Sequence, residues 1–458
     1  MRKPDGNVGT SDHAPAEDYG AGRRPRWLRW TAVRWSRRHV WAAAPVALLL
    51  ALAGCGGGKR GPEVVQAQRF VDSIGLNVHT SYADTAYGNR AGVRAAVREL
   101  GVRHIRDGLV VRRPDQYAAL RALARDRISA DLILGDPRGR FGTGTLDQQV
   151  ATLGRELPGV VETVEGPNEY DGSGDPAWPK SLAAYQRRLG DLVRGDPSAP
   201  KVPIVGPSLI DASDWSRLGD VRSALDVANV HWYPAGEPPT RDALDAQIRL
   251  VRRGTGRAPV YVTESGYHNA PRAPATAQPG VSERASAAYL PRLLLSDFEA
   301  GATRTYVYEL MDERADPGAT DPEQHFGLVR HDFSRKPAFA ALRNTIALLA
   351  DPGPSFEPSP LDVSASGDEP LGHLLLEKRD GTYYLALWRP GASLWSTSSR
   401  ADLTPSPVTV RVRLGRRAQR VRAYDPVRSV RPLASWVRAD ALSLELGGDA
   451  VLLEIRPS

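Results

Sequence analysis

A single cysteine, Cys55, in 458 residues excludes any disulfide within the chain. No cluster of histidines and cysteines at ligand spacing occurs, so neither a catalytic metal nor another cofactor is expected. No GxGxxG follows the first apolar run, which argues against a dinucleotide-binding sheet. The longest apolar stretch, within residues 40–55, is short for a membrane span, which needs about 20 apolar residues. No internal repeat or low-complexity tract is present. The body also lacks charge of one sign. Residues 1–39 hold nine Lys/Arg against four Asp/Glu, a net +5 of the chain's +7, and residues 40–55 hold none. A body close to neutral offers no field for a phosphate backbone, so a nucleic-acid partner is not expected.

What is present falls into segments. The basic head followed by "VWAAAPVALLLALAGC" has the layout of an export signal. Its end, Leu52-Ala53-Gly54-Cys55, resembles the bacterial lipobox, whose cysteine is lipidated. That resemblance implies a signal segment over 1–55, a lipid on Cys55 that anchors the protein to a membrane, and a body outside the cytoplasm at the cell surface. The plainer reading is an uncleaved anchor with an incidental cysteine, and it places the body on the same side. Gly-rich "GGGKRGPE" opens a flexible tether, 56–66.

From 67 to 350, eight short β-branched runs alternate with amphipathic stretches. The runs are 70–78, 102–105, 128–134, 160–164, 202–205, 227–230, 260–263 and 304–308. Strands alternating with helices pair in parallel, and eight such units suit a (β/α)8 TIM barrel better than an open doubly wound sheet. Pro291 is expected to kink or restart the last long helical stretch but one. Pro-rich residues 351–361 form a linker. The remainder, 362–458, changes to short alternating strands with a hairpin turn at Asp380-Gly381, the pattern of a small antiparallel β-sandwich.

In such a barrel the chemistry sits at the C-terminal ends of the strands. The exits of the runs hold Asn77 and His79; Arg106 and Asp107; Asn168 and Glu169; His231, Trp232 and Tyr233; Glu264; and Tyr308, Glu309, Asp312 and Glu313. Carboxylates after the fourth and seventh of eight strands can face each other across the mouth, and glycoside hydrolysis needs two carboxyls flanking one bond. Taken alone, Asn-Glu is more often a helix cap or turn. Asp107, Asp312 and Glu313 have the pattern of loop or supporting acids. Asp171–Asp175 is a turn rather than a calcium loop, lacking its length and closing glutamate. Glu165 is expected to point away and be structural.

Asn168-Glu169 and Thr263-Glu264-Ser265-Gly266 together resemble clan A of the glycoside hydrolases, retaining enzymes on (β/α)8 barrels. Their trailing β domains, notably in families 39, 30 and 79, also match this layout. The resemblance implies that Glu169 is the acid/base and Glu264 the nucleophile. It implies further that Asn168 binds a sugar hydroxyl, that Arg106 keeps Glu264 ionised, and that His231 or Tyr233 contacts the nucleophile. Asn77, His79 and Tyr308 would line the pocket. Many members place a tryptophan at the end of strand eight as a sugar platform, where this chain has Tyr308, Glu309 and Leu310. Trp232 or Trp178 are the candidate substitutes, with core packing the equal alternative for Trp232. The expected carboxyl separation is ~5–5.5 Å. A carbohydrate substrate and a monomeric state follow. A wall-remodelling transglycosylase, or a non-catalytic glycan-binding protein on a retired barrel, are the alternatives.

Overall fold

A computed structural model describes residues 63–140, 142–273 and 278–458. Cys55 and the export segment lie outside the described residues. No helix among those described is long and apolar enough to cross a membrane.

The chain opens with strand β1 (Val64–Gln66) and a short helix α1 (Ala67–Val71). Eight strands then form one sheet: β2 (Ile74–Asn77), β3 (His104–Gly108), β4 (Ser129–Ile133), β5 (Val161–Glu165), β6 (Ile204–Val205), β7 (Ala228–His231), β8 (Val260–Ser265) and β9 (Ala302–Val307). The order is β6-β5-β4-β3-β2-β9-β8-β7, all parallel. A parallel bridge between Val205 and Val227 joins β6 to the start of β7 and closes the ring. All eight runs thus become strands of a TIM barrel. The first is shorter than its run, because Phe70 and Val71 belong to α1.

The helices around the ring start and stop on local signals. In α2 (Arg90–Leu100) Asn89 accepts from the Gly92 N–H, and Gly101 at φ 87° ends the helix. That left-handed angle favours glycine. Thr145 and Gln148 form a reciprocal capping box on α4 (Leu146–Glu156). Between them lies α3 (Pro114–Arg125), and α5 (Trp178–Gly195), α6 (Trp215–Leu218), α7 (Arg241–Thr255), α8 (Glu283–Glu299) and α9 (Pro337–Leu349) follow. Pro291 does not restart a helix: α8 runs through it. Its cost is carried by packing, since Ala285 to Asp297 is buried without interruption between the barrel and the second domain.

Inside the ring, Tyr306 crosses toward β2, where a Cβ on Gly75 would fall 2.3 Å from its ring. Near the strand starts, Arg304 pairs with Glu162 at 3.0 Å and lies over the Tyr261 ring. These side chains fill the N-terminal floor. The functional candidates lie at the other rim.

The second domain holds β10 (Val363–Ser366), β11 (Gly372–Glu377), β12 (Tyr383–Trp388), β13 (Trp395–Ser396), β14 (Ala401–Asp402), β15 (Val408–Tyr424), β16 (Ala434–Leu446) and β17 (Val451–Pro457). β16 follows one edge of β15, while the other edge pairs with β10 before a register break at Arg413/Ala418 and with β17 after it. One long strand thereby serves both layers of a sandwich, whose core includes Val410, Val412, Val421, Leu385 and Leu453. The opposite face, with Tyr384, Trp388 and Leu452, shares the barrel's core cluster with Leu290, Leu294 and Leu342. Arg292 of α8, wholly buried, donates to the carbonyls of Arg389, Pro390, Ala392 and Gly448 and ties the domains together.

The tether expected to reach residue 66 ends earlier. Val64–Gln66 pairs in parallel with Leu375–Glu377, at the edge of the sandwich. Three residues of strand carry too little pattern to stand out in sequence, and only the partner β11 makes them one.

Candidate active site

Arg106, on β3 and 2% exposed, is the hub of the rim. Its Nε and Nη2 donate to the two oxygens of Glu165, each at 2.7 Å. Nη2 also donates to Asn168 Oδ1 at 2.7 Å, and Nη1 to Asn77 Oδ1 at 2.9 Å and Glu264 Oε1 at 2.7 Å. All five guanidinium N–H groups are used, which fixes the plane of the fork. Burial opposes the charge, but the Glu165 and Glu264 carboxylates hold Arg106 firmly protonated. Below it, burial and the Glu165 charge push Asp131 well above the carboxylate range, so Asp131 keeps its proton and adds no third negative charge.

Glu165 was expected to point away. It points into the barrel and clamps Arg106, because it ends β5 on the inner face with Thr163, while Val164 packs outward into the helix layer. A buried glutamate at the inward end of a strand, facing a buried arginine two strands away, is the signal that sequence reasoning missed.

Glu264 takes its second contact from the Tyr233 hydroxyl, 3.0 Å from Oε2. Burial would raise its pKa, but the charges of His231 and Arg106, with hydrogen bonds from Arg106 and Tyr233, more than offset this and hold it below 4.5. Glu169 reaches the same cavity from a strained backbone. Its φ of 46° and ψ of 47° lie in the left-handed region, at a cost of about 1–3 kcal/mol. Its N–H donates to the Ser208 carbonyl at 3.1 Å and stands 3.2 Å from the Ser208 hydroxyl, which holds that turn. The Ser208 hydroxyl in turn donates to Asn168 Oδ1.

His231, the last residue of β7, stands between the two glutamates. Its Nδ1 is 2.8 Å from Glu169 Oε1 and 3.5 Å from Glu264 Oε2. One donor atom of each of Glu169, His231 and Glu264 lies within 4.8 Å of the other two. On its far side Nε2 is 3.1 Å from Thr263 Oγ1, whose proton goes to Asn229 Oδ1 at 2.6 Å. The Asn229 amide is oriented by its donation to the Gly206 carbonyl at 3.1 Å. With the Thr263 proton committed, Nε2 must donate, so Nδ1 is left to share a proton with the carboxylates. Burial disfavours the charged ring, but Glu264 and Glu169 raise its pKa above 6.5.

His79 and Tyr308 line the neighbouring wall. The His79 ring stacks on Tyr82 with centroids 4.6 Å apart, and Tyr308 packs edge-on against His79 and Phe326. Trp232 does not reach the cavity: its Nε1 donates to Asp297 on α8, so the ring faces the helix layer. Trp178 is buried at the start of α5 with Arg217 over its ring. Neither is a sugar platform. Alternation along the strand explains Trp232, since His231 and Tyr233 face inward and the residue between them must face out. Thr263, Asn229 and Ser208 were not among the residues expected at the site. Thr263 sits inside the Thr-Glu-Ser motif itself, and Asn229 lies two residues before His231 on the same inner face.

No family model matches the chain, and no curated protein does. Solved structures do. A family 39 glycoside hydrolase from Bacteroides cellulosilyticus WH2 superposes with a TM-score of 0.61 at 16% identity, over 86% of this chain and 83% of that one. The GH39 enzyme of Xanthomonas axonopodis pv. citri gives 0.55 at 16% identity, over 87% and 95%. A monomeric beta-xylosidase of Caulobacter crescentus CB15 gives 0.55 at 17% identity, over 87% and 98%. At these identities the likeness is one of fold, and it extends across both domains.

Proposed function

We propose that this chain is a retaining glycoside hydrolase of clan A. The observation that carries the reading is the approach of Glu169 and Glu264 to within 4.8 Å across one cavity, with Arg106 on the second and His231 between them. This oxygen-to-oxygen gap falls short of the ~6.5–9.5 Å separation at which inverting enzymes hold a water between acid and base. The fold shared with family 39 structures supports the same reading.

In the first step Glu264, ionised beside Arg106, attacks the anomeric carbon. The glycosidic oxygen takes the proton of Glu169 as its bond to that carbon breaks. In the second, water attacks the glycosyl-enzyme ester and gives its proton to Glu169, and the Glu264 carboxylate leaves. Tyr233 donates to Glu264 Oε2 and Arg106 to Oε1, so both oxygens of the departing carboxylate are received by fixed donors. Asn168, whose Oδ1 accepts from Arg106 and Ser208, offers its amide N–H2 for a sugar hydroxyl.

The test is hydrolysis of aryl glycosides, with β-xylosides among them because one similar structure is a beta-xylosidase. Wild type should turn over at least one substrate with retained anomeric configuration by proton NMR. Glu264→Ala should lose about 10³-fold or more. Azide should restore Glu169→Ala on an activated aryl leaving group. Equal rates for wild type and Glu264→Ala across the set would remove the proposal.

The proposal extends to location: the segment before residue 56 exports the chain and Cys55 carries the lipid, with the body acting as a monomer outside the membrane. The basic head, short apolar run and Leu-Ala-Gly-Cys ending support it. Radiolabelled palmitate should enter the wild type and not Cys55→Ser.

A further inference from the structure

A second cluster of metal-ligating side chains adjoins the catalytic cavity. His79 follows β2, and Glu309 and Glu313 follow β9, its neighbour in the barrel. The two loops are tied by the Leu310 N–H to the Asn77 carbonyl and the Ala86 N–H to the Glu313 carbonyl, at 3.0 and 2.9 Å. One donor atom of each of the three side chains lies within 4.8 Å of the other two, and all three are buried.

Glu309 is wholly inaccessible. The Tyr87 hydroxyl donates to its Oε2 at 2.8 Å, and His79 Nε2 stands 3.1 Å from the same oxygen. Its other oxygen, Oε1, is buried with no hydrogen-bond partner. Among the described residues no lysine or arginine forms an ion pair with Glu309. Lys336, the cation whose charge acts on Glu309, is committed to Asp312 and the His325 carbonyl. Burying a carboxylate oxygen without a partner costs several kcal/mol unless a proton or a cation satisfies it.

We propose that His79, Glu309 and Glu313 bind a divalent first-row cation of the Zn2+ class. Two carboxylates balance two positive charges, and a neutral imidazole suits Zn2+ where Ca2+ and Mg2+ prefer all-oxygen cages. The Tyr87 hydroxyl donates to Glu309, a hydrogen bond of the kind that usually orients a ligating carboxylate. Sequence alone did not show this set, because its members come from the first and the last barrel strands and share no spacing motif. The inference stands on its own geometry and does not depend on the glycosidase reading.

The test is calorimetric titration of the whole chelator-treated protein with ZnCl2. We expect about one Zn2+ per chain, with affinity reduced at least tenfold in Glu309→Gln and in Glu313→Gln. Glu169→Gln should bind as wild type, which separates this cluster from the other three-residue set, Glu169, His231 and Glu264. A zinc-soaked wild-type crystal, read by anomalous scattering at the zinc edge, should show a peak at bonding distance from His79 and both glutamates, so the result does not depend on how the variants fold. No saturable Zn2+ binding, an anomalous peak elsewhere, or binding lost in Glu169→Gln and kept in Glu309→Gln would overturn the site.

Discussion

The Thr263 hydroxyl donates to Asn229 Oδ1 at 2.6 Å, and that bond decides which nitrogen of His231 faces the two glutamates. Replacing Thr263 with valine removes the acceptor for His231 Nε2–H and frees the ring to adopt the other tautomer. On the proposed function, kcat should fall about tenfold and the basic limb of the pH profile should move, while Thr263→Ser restores both. A merely structural threonine would lower the melting temperature and leave the profile in place.

The profile itself should be a bell. Glu264 must be ionised, and its pKa is held below 4.5, so activity is lost only as pH falls through that lowered value. His231 must keep its proton between the two glutamates, and the charges of Glu264 and Glu169 raise its pKa above 6.5 against burial, so activity is lost as pH rises through the raised value. Rates of kcat/KM between pH 3 and 9 should show an acid limb below about 4.5 and a basic limb above about 6.5. Limbs inside that window would contradict the electrostatics of the pair.

Glu165→Gln keeps the shape of the clamp on Arg106 and deletes its charge. A buried arginine then retains Glu264 as its one charged partner. The expected cost is about 3–5 kcal/mol in urea unfolding, with a drop in kcat of roughly 10- to 100-fold as Arg106 shifts toward Glu264. Unchanged kcat with reduced stability would confine Glu165 to folding.

Asp297 gives a stability signature away from the site. It is buried between Trp232 and Thr305, and burial lifts its pKa to about 7. The unfolded aspartate ionises near 3.9, so between about pH 4 and 7 the native state binds the extra proton and this group's contribution falls as pH rises, levelling above 7. The full change is about 4 kcal/mol. The stability difference between Asp297→Asn and wild type should therefore move in favour of the asparagine variant between pH 4 and 7.

Arg292→Met leaves four carbonyls of the sandwich without their donor. Roughly 3–5 kcal/mol should be lost, and unfolding should split into two transitions as the domains uncouple.

The barrel was legible because its strands are β-branched runs spaced by amphipathic stretches, and the hairpin at Asp380-Gly381 because Gly381 takes a φ of 77° that its neighbours resist. Glu169, Glu264, Arg106, Asn168, His231 and Tyr233, read from strand ends, are brought together at one rim, because there sequence position and spatial position coincide. Their hydrogen-bonded supports were not legible. Glu165, Thr263 and Asn229 act across strands, and a pairing between distant strands leaves no local pattern. For Trp232 the residue type suits sugar stacking and core packing equally, and side-chain alternation along β7 decides for the helix layer. β1 escaped because its one neighbour in the sheet is Leu375–Glu377.

That last pairing has a consequence for assembly. β1, the first of the described strands, finds its neighbour only after the whole ring of eight has been made, so the trailing sandwich acts as a clasp. A chain cut short before β11 would leave β1 unmatched ahead of the barrel, open to any passing edge.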